Sequence, residues 1–346
     1  MFRPVRRVMP GLVMPFVSLN YSSHIGRMDM SSATTVAGTL PPLNEKLYQK
    51  RRRMQGLRED LNSFWFLLPI LALFVILFLV PLVQTAIYSF TNFNGYSMDM
   101  DFIGLENYKK VFSDPSTLQG LGFTIMYAVI VMVGVTVLAI PLAVVLNRKF
   151  VGRNFVRSLF FFFSVPSLAI MGMVWKYIFS PMKTGVVNSV LAALGLDPIP
   201  WLSNNGWAKF CVIFIAVWAQ IGWHATLYLA FLQAIPADLY EQATVDGATP
   251  FQQFVHITLP QLTPGIVTST FLLMSGGLKV YDLPYTMTKG GPGYSTYTVT
   301  QSIIQQGIGQ SQYGIGSALA VLFFIATGIV VFLQMGISNL IARRFQ

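Results

Sequence analysis

A single cysteine, Cys211, leaves no partner for an intramolecular disulfide, and its place in an apolar run suggests no metal site. The three histidines, His24, His224 and His256, fall on different segments and form no zinc-binding cluster. Charge is also scarce, at 10% of residues, against roughly 25% in soluble domains. With 54% apolar residues and a mean hydropathy of +0.59, that shortage excludes a soluble globular protein. No GxxxxGK[ST], HExxH or GxSxG occurs, so phosphate-loop, zincin and serine-elbow chemistries are absent from the sequence. The glycines of KGGPGYST (289–296) neither follow a strand pattern nor precede Lys-Ser or Lys-Thr. No nucleophile stands beside a base within an apolar run, which disfavours an intramembrane hydrolase.

Long uncharged runs are what the chain has instead. No charge occurs from Leu61 to Met98, nor from Pro115 to Asn147. Six candidate spans follow at 64–89, 120–146, 158–180, 208–234, 264–285 and 316–340, each near the roughly 20 residues needed to cross hydrocarbon. These runs are far longer than barrel strands and open sheets cannot cross lipid, so the expected class is an all-α integral membrane protein. The net charge of +10 sits at the edges of these runs, as topology determinants facing anionic lipid rather than nucleic acid. Residues 1–60 are polar, basic and aperiodic, and read as a largely disordered tail. Pro10 and Pro15 interrupt any signal-peptide core there, and the polar run after Met30 leaves Met1 and Met30 as alternative starts.

Lys and Arg set the orientation. The tail, the segment 147–157 and the C-terminal IARRFQ together hold 16 of the 23 Lys and Arg residues. With six spans all three lie on one side, the cytoplasm, and so does the loop 235–263. That loop carries no Lys or Arg of its own, so an odd span count would place it outside.

Within it, residues 241–260 read EQATVDGATPFQQFVHITLP. Pro236 and Asp238 mark a helix start, Gly247 breaks the helix, and Pro260 and Pro264 mark entry to the next span. On residue type alone this is a connector lying in the interface. Its spacing argues otherwise. Glu241, Ala243, Gly247, Ile257, Leu259 and Pro260 resemble the Glu-Ala-Ala coupling loop of permease subunits in bacterial ATP-binding-cassette importers, with Gln242 in place of the first Ala.

Three further segments resemble the maltose and glycerol-3-phosphate type of carbohydrate importer: FIGLENY (102–108), VYDLPYTMTKGGPGYST (280–296) and YGIGSALAVLFFIAT (313–327). Together they cover about residues 60–345. The resemblance implies a type I importer permease fold, with a first helix and outer loop at 61–115 and a permease core at 116–342. It also implies a second, similar permease, an extracytoplasmic sugar-binding protein, and two ATPase subunits, each gripping one such loop, here through Glu241, Ala243, Asp246, Gly247, Ala248, Ile257, Leu259 and Pro260. ATP and Mg would belong to those partners, and this chain would bind no cofactor and no nucleic acid. The localisation implied is the bacterial cytoplasmic membrane.

Polar residues in spans four and five are candidates for the solute path. Gln220, Trp223, His224 and Leu227 share one helical face, and Ser275, Lys279 and Asp282 share another, with Tyr281 adjacent. An alternative is that Lys279 and Asp282, three apart, simply pair near the interface. A stand-alone ion-coupled transporter is the rival reading, but it favours repeated halves and midplane carboxylates, and Asp and Glu are absent from all six span centres.

Overall fold

The computed structural model describes Trp65, residues 67–97 and residues 99–345, with backbone alone for Asn339 and 341–345. The tail expected over 1–60 lies outside the described residues. The chain divides into a unit Met1–Ala72 and a unit Leu73–Gln346. Of the first, Trp65 and residues 67–72 are helical and exposed; everything below concerns the second.

The described residues are helical, with one isolated bridge, Thr91 to Phe102, and no strand. Four helices are long and apolar enough to cross a membrane: α1 (Leu67–Tyr88), α3 (Pro115–Asn147), α7 (Asn205–Gln233) and α13, whose apolar part is Tyr313–Ser338. A short α2 (Glu106–Ser113) precedes α3. The helices α9 (Pro250–Gln261) and α10 (Thr263–Leu278) bend by 64° and could together form a fifth span. No residue of Val80–Tyr88 is buried, although Val80 to Tyr88 is strongly apolar, as befits a surface facing lipid or another subunit.

The core lies where α3, α7 and α10 pack together. Tyr127, Val131 and Val135 of α3 meet Val212, Ile215 and Tyr228 of α7 there, with Leu262 and Leu283 closing it. Helix α3 is fixed at its start by Asp114, whose side chain accepts from the Ser116 and Thr117 N–H groups. At its far end Arg157 donates to the Leu146 carbonyl at 2.7 Å, satisfying a carbonyl that the helix leaves open.

The continuous third span expected over 158–180 is not formed. The chain makes two short helices, α4 (Arg153–Phe162) and α5 (Leu168–Ile178), with a break between them. Pro166 lies in that break: it has no N–H to give, and it disfavours helix at Val165 before it. Ser167 then caps α5 by accepting from the Ile170 N–H. The break is held against α7, with Ser164 Oγ donating to the Ala219 carbonyl at 2.7 Å. Gly222 permits that approach, since a Cβ there would collide with the Phe160 carbonyl. The connection that follows contains α6 (Val186–Ala193).

Two π-turns follow one rule. Val75–Leu79 ends two residues before Pro81, and Phe254–Thr258 ends two residues before Pro260. A proline removes one helical donor and crowds the carbonyl four residues back, and a wider turn relieves both.

Candidate functional site

The loop singled out by its spacing forms an elbow of two short helices, α8 (Ala237–Val245) and the first part of α9. The turn between them is built from the motif residues. Gly247 has φ +79, the left-handed region. Its N–H donates to the Thr244 carbonyl at 3.1 Å, and the Ala248 N–H reaches the Ala243 carbonyl at 2.8 Å. These are the two bonds of a Schellman ending. Open space surrounds the Gly247 Cα, so backbone conformation rather than room demands glycine.

After the turn, Thr249 and Gln252 form a reciprocal capping box that starts α9. Gln253 Nε2 donates back to Thr244 Oγ1 at 3.0 Å, and the Tyr240 and Thr258 hydroxyls bond at 3.0 Å. Both ties cross the elbow and lock its two arms. Sequence reasoning did not find them, because Gln253, Tyr240 and Thr258 stand outside the recognised spacing.

Of the motif side chains, Glu241 and Asp246 are exposed, while Ala243, Ala248, Ile257, Leu259 and Pro260 are half-buried. Leu239 and Phe254 are also half-buried, and Phe254 packs on the core. Val245 and Phe251, by contrast, stand 88% and 74% exposed. Two large apolar side chains thus stand exposed on the elbow.

The elbow's position is fixed by two grooves. One, of about 600 Å³, is lined by Asn147 and Arg148 on one side and by Tyr240, Phe251 and Phe254 on the other. The second, of about 550 Å³, joins Leu259 and Thr263 to Gln334 and Ser338 near the end of α13. The elbow, the basic turn after α3 and the C-terminal part of α13 therefore share one end of the bundle.

The polar candidates in the helices separate. His224 is buried, with Nδ1 at 2.7 Å from Ser269 Oγ, and ties α7 to α10. Trp223, one residue before it, is 41% exposed with its ring edge-on to His224 at 4.6 Å. Gln220 is half-buried and donates to the Ala216 carbonyl at 3.1 Å. The single face expected to carry these residues thus divides between interior and surface.

The face expected to carry Ser275, Lys279 and Asp282 does not exist. Helix α10 stops at Leu278, and a new helix, α11 (Asp282–Thr288), starts after Tyr281. The adjacent Gly276 and Gly277 weaken the helix end, and Asp282 opens α11 as a first-turn acid. Lys279 and Asp282 form no ion pair; the salt bridge among the described residues is Lys110–Glu106. Ser275 donates to the Leu272 carbonyl, and Tyr281 stacks on Tyr285 at 5.0 Å.

This arrangement has known counterparts. The chain is 34% identical over 286 residues to the multiple sugar-binding transport system permease protein MsmF of Streptococcus mutans, covering 82% of this chain and 98% of that one. It is 30% identical over 282 residues to the trehalose/maltose transport system permease protein MalF of Thermococcus litoralis, covering 81% and 95%. Its fold matches that of a bacterial ABC transporter involved in the import of the acidic polysaccharide alginate, with a TM-score of 0.71 over 85% of this chain and 99% of the other, at 23% identity. The family described as binding-protein-dependent transport system inner membrane component matches residues 136–345, and the chain belongs to that family: it is a multi-pass inner membrane component of a transport system, and not an enzyme.

Proposed function

We propose that this chain is one permease subunit of an ATP-driven importer of sugars, forming part of the solute path and coupling it to partner ATPases. The observation that carries the reading is the elbow, a short, cross-tied projection with Val245 and Phe251 exposed beside Glu241. Its rigidity suits it to pass a partner's motion to α7 and α10, the helices it joins. The names of the relatives, for multiple sugars and for trehalose and maltose, support a carbohydrate cargo. The family's dependence on a binding protein favours this reading over an ion-driven carrier working alone. A second, similar permease and two ATP-binding subunits complete the assembly, with ATP and Mg held by the latter.

The elbow end faces the cytoplasm, because the basic turn 147–157 shares it. Both termini are cytoplasmic in this arrangement, and six crossings are completed by the broken α4–α5 pair and the bent α9–α10 pair. Glu241, Ala243, Asp246, Gly247, Ala248, Ile257, Leu259 and Pro260 serve the ATPase contact. Gln220, Trp223 and Lys279 line the solute path, while His224 holds α7 to α10 behind them.

The test is uptake by the reconstituted importer. Gly247→Pro cannot adopt φ +79, and is expected to insert in the membrane yet lose ATPase attachment or uptake. Trp223→Ala is expected to lower uptake by roughly ten-fold while assembly survives. Full uptake and full ATPase stimulation in Gly247→Pro would overturn the coupling role.

A further inference from the structure

At the end of the bundle away from the elbow, a cavity of about 580 Å³ opens between the start of α3, helix α11 and the segment 289–315. That size lies within the range of roughly 300–1,000 Å³ typical of small-molecule sites. Gln301, on α12 (Val299–Ile304), lines it and is only 6% exposed. Its Nε2 donates to the Lys289 carbonyl at 2.9 Å, but its buried Oε1 accepts no hydrogen bond. A buried amide oxygen left without a donor is costly, and a ligand hydroxyl would satisfy it once the Gln301 side chain turns toward the cavity.

The rest of the lining matches such a ligand. Gln305 and Gln306 extend the wall, each able to donate and to accept. Tyr285, Tyr294 and Tyr297 add aromatic surface, with Tyr294 and Tyr297 edge-to-face at 5.3 Å. Charge nearly cancels. Lys110 is paired with Glu106 at 2.8 Å, and Lys289 is offset by Asp114, which binds Gln306 Nε2 at 2.6 Å. Hydrogen bonds from Ser116 and Thr117 outweigh the opposing effect of burial and hold the Asp114 carboxyl below its usual range, so it stays ionised. Amides, phenols and ring faces without net charge are chemistry for a neutral, hydroxyl-rich solute. The apolar centre expected of a protein–protein contact is missing.

We propose that this cavity is an entry site for a neutral glycosyl unit, which it holds at the outer mouth before the solute passes between α7 and α10. The proposal rests on the sugar-import reading above for its orientation. The assembled importer, purified in lipid nanodiscs without its binding protein, can be examined by saturation-transfer NMR. Maltotriose and cellotriose serve as neutral probes, and a galacturonic acid trisaccharide as the anionic one. Saturation of a neutral probe is expected, with little for the anionic probe. Gln305→Ala and Tyr294→Ala, both at exposed positions, are expected to weaken binding roughly five-fold each. Gln301→Leu, which leaves no acceptor, is expected to abolish it; should that variant fail to fold, the two exposed variants still decide. Absence of signal from both neutral probes at about 10 mM overturns the proposal, as does an equal signal in wild type and the exposed variants. Variants that keep the sugar signal but lose capture of the binding protein would make this a protein-docking pocket, and also overturn it. Loss of the transport reading would look different, since ATPase subunits would then fail to co-purify even with wild type.

Discussion

Asp114 sits where three elements meet. It caps α3 through the Ser116 and Thr117 N–H groups, takes both their hydroxyls at 2.7 Å, and accepts from Gln306 at 2.6 Å. Burial alone would raise its pKa, but the hydrogen bonds from Ser116 and Thr117 more than offset it and the carboxyl titrates below its ordinary value. Because the folded pKa is depressed, the stabilisation is present above the unfolded carboxyl pKa and is lost as pH falls through the folded one. Thermal unfolding in detergent should therefore be flat through neutral pH and fall below about pH 4. Asp114→Ala should cost about 1 kcal/mol near neutrality, and the gap should narrow as pH falls below the ordinary carboxylate range. An unchanged gap between variant and wild type across that range would contradict the assignment. Asn188 works similarly for the connection before α7: fully buried, it accepts from the Ile199 N–H and the Trp201 indole, and donates to the Ile199 and Pro181 carbonyls. Neither residue stood out in the sequence, because a lone Asp or Asn in a polar connection carries no periodic signal and acquires its role only when distant segments meet around it.

At the scale of elements, apolar runs located α1, α3, α7 and α13 well, since length and the absence of charge decide a span. They misled over 158–180 and at the end of the fifth run. Hydropathy does not register that Pro166 stops α4, nor that a glycine pair lets α10 end at Leu278. The same blindness placed Ser275, Lys279 and Asp282 on one face: helical spacing holds only while the helix continues. The elbow was the reverse case. Its turn could be read directly because φ +79 at Gly247 permits little besides glycine, leaving a fixed mark in the sequence. What spacing could not reveal was which apolar side chains point outward, and Val245 and Phe251 emerged only from the packing. The capping box gives this element its own test. Thr249→Ala removes the acceptor for the Gln252 N–H and should cost the elbow about 1 kcal/mol. Amide exchange at 251–253 should then quicken roughly five-fold, while exchange in α3 and α7 stays as in wild type. Equal exchange in both proteins would mean that the cross-ties, not the cap, hold the arm.

The unit Leu73–Gln346 has two chemically distinct ends. One carries the elbow, Arg148 and the terminal part of α13; the other carries Asp114, Tyr285 and the glutamine-lined cavity. The elbow contributes no Lys or Arg, so its side of the membrane follows from its neighbours and not from itself. The groove it shares with Asn147 and Arg148 supplies that link: the elbow lies at the same end of α3 as the basic segment 147–157, so the proposed cytoplasmic placement of that segment carries the elbow with it. This removes the dependence on counting spans, which the break between α4 and α5 would otherwise make insecure. Cys211 is buried in the core, so Cys211→Ser gives a background with no reactive thiol. In it, a cysteine at position 244, on the exposed side of α8, should resist a membrane-impermeant maleimide added to whole cells and react fully in inverted vesicles. A cysteine at position 294, on the exposed rim of the opposite cavity, should show the reverse pattern. Labelling of position 244 from outside intact cells would place the elbow on the wrong face, and no ATPase could reach it there.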